Sequence, residues 1–71
     1  MPSPKTGTEL LEQYYLDMRC HLLEFAAAMD RIQDAGGTAD PRLERLRQAA
    51  TMAAGPDRDR VRRFLEAMST E

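Results

Sequence analysis

Residues 14–30 read YYLDMRCHLLEFAAAMD, and the way their apolar side chains recur decides the fold. Tyr15, Met18, Leu22, Phe25 and Met29 follow one another at alternating steps of three and four. Leu11 before them and Ile32 after them continue the same rhythm. A strand repeats every second residue, whereas steps of three and four keep side chains on one side of a helix. Sustained in this way, the pattern is a heptad seam, which predicts lengthwise packing against another helix at a shallow crossing angle. Met18 and Met29 within the seam carry flexible thioethers suited to irregular gaps. Tyr14, Ala26 and Ala28 widen the face to that of a helix in a globular bundle.

The same stretch has a second apolar stripe. Leu16, Cys20, Leu23 and Ala27 recur at steps of four, three and four on the other side of the helix. A helix that is apolar on two sides is expected to be covered on both. Between the stripes run polar strips, one of which holds Gln13, Asp17, His21, Glu24 and Arg31.

Outward from this segment, punctuation sets the elements. Residues 1–7 carry two prolines and a glycine without periodicity, and read as a disordered lead. Thr8 is expected to cap the first helix, with Glu12 one position beyond capping-box distance. Nothing breaks that helix until about Asp34, where Ala35-Gly36-Gly37 stops it. Asp40-Pro41 starts a second helix, because aspartate caps and proline suits the first turn, and it runs to about residue 54 before Gly55-Pro56. A third is expected over about 57–69. The second offers Leu43, Leu46, Ala50 and Ala53 on one face, and the third Val61, Phe64, Leu65 and Met68. No stretch alternates as a strand does. The expected class is all-α, a single helical domain over 8–71. Its first helix is long, and two short helices fold back along it as the broken second arm of a helical hairpin.

Size then argues for a partner. A chain of 71 residues buries only about 60% of the surface it exposes when unfolded, and a core of that size rarely supplies more than about 3–5 kcal/mol without a staple. One cysteine rules out an intrachain disulfide. A homodimer assembling into a helical bundle, or docking onto another helical protein, covers the surplus face of the first helix. The expected interface is Leu16, Cys20, Leu23 and Ala27, with the seam around Tyr15 and Leu22 as the alternative. The lone thiol and the lack of an apolar signal segment predict a reducing cytoplasm. No run is apolar enough to span a membrane.

Three chemistries remain to be weighed. Asp17, His21 and Glu24 are spaced four and three apart, so one helix face holds donors suited to a zinc or iron ion. The order is the reverse of the Glu-x-x-His pattern that bundle metal sites use, and no further His or Cys exists in the chain to complete a site. Ion pairing in a solvated strip is the favoured account of these residues, since charged pairs at such spacing are common on exposed helix faces. Catalysis is not expected: Cys20 and His21 are neighbours that diverge by about 100° on a helix, and no phosphate loop, CxxC or HExxH is present. Arg58, Arg62 and Arg63 raise a nucleic-acid reading for the third helix. Asp57 and Asp59 interleave with them and the net charge is −2, whereas nucleic-acid binders usually carry a clearly basic domain. The expected function is therefore that of a small non-enzymatic assembly, adaptor or regulatory module. A metal-binding bundle is the alternative and a nucleic-acid-binding regulator the third reading.

Overall fold

The computed structural model describes residues 5–69, which form three α-helices and, among the described residues, no strand. They are α1 (Gly7–Asp34), α2 (Pro41–Ala54) and α3 (Arg60–Met68). The chain divides into two compact units, 1–37 and 38–71. The first contains α1 and the second contains α2 and α3.

α1 starts two residues earlier than Thr8 would have set it. Thr6 is the cap: its Oγ1 accepts from the Glu9 backbone N–H at 3.1 Å, while Glu9 Oε1 accepts from the Thr6 N–H at 2.8 Å. That reciprocal pair satisfies two amide donors that the helix start would leave open. Of the lead expected to be disordered, residues 1–4 lie outside the described residues, Lys5 and Thr6 precede the helix, and Gly7 opens it. At the other end, Gly36 and Gly37 take positive φ angles of 103° and 75°. The Gly36 N–H donates to the Gln33 carbonyl at 3.0 Å and the Gly37 N–H to the Ile32 carbonyl at 2.8 Å, the two bonds of a Schellman stop. Only glycine adopts a φ of 103° without strain.

In the second unit, Asp40 caps α2 through its Oδ1, which accepts from the Arg42 N–H at 2.9 Å, and Pro41 occupies the first helical position. The Arg42 guanidinium folds back onto the same carboxylate, Nη2 to Oδ2 at 2.8 Å. The hydrogen bonds from the Arg42 side chain and backbone hold the Asp40 carboxyl down at about 2, against an ordinary 3.8. A carboxyl depressed in the folded state stabilises that state above its unfolded pKa, and the contribution is lost as pH falls through the folded value. Helicity of the second unit is therefore expected to hold steady above about pH 4 and to fall between about pH 4 and 2. Asp40→Asn keeps a cap but not the charge, and should flatten that segment of a circular-dichroism pH titration. An unaltered titration in the variant would remove Asp40 as its cause.

α2 and α3 pack on each other. Ala49, 1% exposed, is the only buried residue among the described residues. Leu43, Leu46 and Ala50 are half-buried, as the face expected for α2 requires, while Ala53, on the same side four residues after Ala49 and one residue from the helix end, is exposed. α3 begins at Arg60, three residues later than expected. Asp59 sits in the left-handed region at φ 63°, ψ 33°, a conformation that cannot continue a right-handed helix and that aspartate tolerates better than most residues. The Arg60 guanidinium donates to the Gly55 carbonyl, from Nε at 3.0 Å, and braces the turn that delays the helix.

Candidate functional site

α1 concentrates the features that bear on function. In 28 residues it has no buried side chain. The seam residues Leu11, Tyr15, Met18 and Leu22 are 52%, 54%, 52% and 69% exposed, and Leu10 and Tyr14 beside them are exposed as well. Together with Arg19, the four seam residues line a shallow apolar groove along the helix. Further on, Phe25, Met29 and Ile32 are half-buried. The heptad spacing thus places all seven seam residues on one side, and its N-terminal part is the part open to solvent.

The other stripe is open too. Leu16 and Leu23 are 67% and 65% exposed, and Ala27 is half-buried. Cys20, expected to be covered along with the rest of its stripe, is exposed. Its nearest stripe neighbours, Leu16 and Leu23, are themselves exposed, so periodicity located the stripe without supplying its cover. Because Cys20 lies on the side of α1 away from the seam, Cys20→Ala is expected to change stability by no more than about 0.5 kcal/mol and to leave the mass in solution unchanged. A changed mass in that variant, measured by light scattering, would assign the thiol a role that this placement denies it.

Of the three metal-ligand candidates, the structure brings together two. His21 Nδ1 lies 3.3 Å from Glu24 Oε1, with both side chains about three-quarters exposed. Asp17 does not join them: among the described residues no three His, Cys, Asp or Glu side chains are placed to hold a metal ion. Two donors at a solvated surface fall short of the three or four protein ligands that a zinc site uses. The arginines of the nucleic-acid reading are engaged with carboxylates. Arg62 contacts Asp59 at 3.2 Å and Glu66 at 3.1 Å, and Arg63 contacts Asp57 at 3.2 Å. Arg58 makes no ion pair among the described residues. Two of the three guanidinium groups are thus locally neutralised, which lowers the field available to a phosphate backbone. The Asp57 and Asp59 partners follow from sequence neighbourhood and are legible there. No helix among the described residues is long and apolar enough to cross a membrane.

No protein-family model, curated protein or solved structure matches this chain. The exposed seam of α1 and its flanking charges are therefore the features from which a function can be argued.

Proposed function

We propose that this protein is a non-enzymatic helical module that works by self-association through α1, forming a homodimer. The observation that carries this reading is the exposure of Leu11, Tyr15, Met18 and Leu22 along one continuous seam of a helix that has no buried residue. Monomeric proteins rarely leave a contiguous apolar surface of that kind in water. A helix in a protein draws most of its stability from packing its apolar face. A second copy supplies an identical seam, and two-fold pairing is the commonest closed arrangement of identical chains. The result is a helical bundle in which each heptad seam packs into the other.

Between the two apolar surfaces of α1, the seam is assigned to the dimer in preference to the Leu16, Cys20, Leu23 and Ala27 stripe. It is the longer of the two, it forms the groove, and it has Tyr15 among its exposed members and Tyr14 at its edge. Tyrosine suits interfaces because one end is apolar and the other tolerates water. Light scattering at micromolar concentration should give a mass near twice the 8.0 kDa of one chain. A mass of one chain at that concentration would overturn the reading.

A further inference from the structure

We propose that the two α1 helices pair antiparallel, about a two-fold axis level with the midpoint between Leu16 and Asp17, and that reciprocal Glu12–Arg19 ion pairs fix this register. The inference rests on the self-association reading and adds to it an orientation, a centre and the residues that set them.

The exposure pattern gives the centre. Leu11 and Leu22 lie at equal distances on either side of that midpoint, and so do Tyr15 and Met18. These four are the exposed members of the seam, while Phe25, Met29 and Ile32 are already half-buried. A perpendicular two-fold axis at the midpoint sets Leu11 level with the partner's Leu22 and Tyr15 level with the partner's Met18. Each exposed side chain then faces another exposed one.

Charge gives the orientation. One edge of the seam is lined by Glu12, Arg19, Ala26 and Gln33, and the other by Tyr14, His21 and Ala28. In an antiparallel pair the two-fold axis is perpendicular to both helices, so each edge meets the same edge of the copy. Glu12 then lies about two residues, or 3 Å, along the axis from the partner's Arg19, and symmetry repeats the contact. In a parallel pair the axis runs along the helices and each edge meets the opposite one, so Glu12 and Arg19 face Tyr14 and His21 and find no opposite charge. Both Glu12 and Arg19 are exposed, and neither takes part in an ion pair among the described residues.

Charge also selects among antiparallel registers. Sliding one copy by a heptad centres the pair on Cys20 and sets every seam residue but Ile32 level with another seam residue. That register brings Arg19 to within about 3 Å, along the axis, of the partner's Arg19, and like charges so placed repel. The register centred before Asp17 exchanges that repulsion for two attractions.

Two measurements on the full chain test this. With Cys20→Ala and a spin label on Asp34→Cys, the antiparallel register places the two labels about 50 Å apart at 1.5 Å rise per residue. A parallel pair holds them abreast, within about 20 Å given a helix diameter of 10–12 Å. Glu12→Arg and Arg19→Glu should each weaken the dimer about tenfold, since two exposed ion pairs become two repulsive contacts. The combined variant, with both charges exchanged, should recover most of the loss. A dimer with the short distance, or one indifferent to the single exchanges, would overturn the antiparallel register while leaving self-association standing. A chain monomeric at micromolar concentration would overturn both.

Discussion

Leu22→Glu should convert the proposed dimer to a monomer. Leu22 is the most exposed residue of the α1 seam and falls inside the proposed interface. Two-fold symmetry doubles the effect, because each dimer would bury two introduced carboxylates. An unpaired charge taken out of water costs several kcal/mol, so dissociation is expected to strengthen by about a thousandfold or more. Helicity should fall with it, since α1 has no buried residue of its own to hold it. Leu23→Glu is the control: it adds the same charge one position on, at the edge of the Leu16 and Cys20 stripe, and should leave the dimer intact. Light scattering on both variants separates the two faces. If Leu23→Glu dissociates the dimer and Leu22→Glu does not, the stripe is the shared surface and the seam is not.

The second large effect lies in the other unit. Ala49→Asp should melt α2 and α3 together. Ala49 is 1% exposed in a unit that has no other buried residue among the described ones, and aspartate is too short to carry its charge from there to water. Burying an uncompensated carboxylate costs about 3–5 kcal/mol, more than a unit of this size has in reserve. Circular dichroism should lose the helical signal of α2 and α3, and the remaining signal should match α1. Ala49→Ser, nearly isosteric and uncharged, should keep most of it. Full helicity in Ala49→Asp would show that the position can open to solvent at little cost.

Local chemistry explains which parts of this fold could be read from the sequence. The all-α class, the extent of α2 and the glycine stop of α1 each depend on residues within one or two turns: the seam from Leu11 to Ile32, the Asp40-Pro41 start, and Gly36-Gly37 at positive φ. The cap of α1 was equally local, since Thr6 and Glu9 stand at capping-box spacing, but the neighbouring prolines and glycine gave that stretch the look of an unstructured lead. Two features lay beyond sequence reasoning. The delayed start of α3 depends on a left-handed aspartate held beside an arginine-braced turn, and composition does not specify which of several aspartates adopts it. Ala49 and Ala53 stand four apart on one face of α2, and Ala53, one residue from the end of that helix, is exposed while Ala49 is covered; spacing gives the face and does not say how far along the helix its cover reaches. In the candidate site, spacing placed the apolar residues on their faces, and Cys20 shows what spacing leaves undetermined: an apolar stripe states a demand for cover and does not name what meets it.

The self-association of α1 is tested most directly by the dependence of its thermal unfolding on protein concentration. When folding is linked to dimer formation, mass action raises the melting temperature as the chain is concentrated. Followed by circular dichroism over a hundredfold range through the micromolar, the melting temperature should climb steadily, and Leu22→Glu should abolish the climb. A well-folded chain whose melting temperature is the same at every concentration would contradict the account.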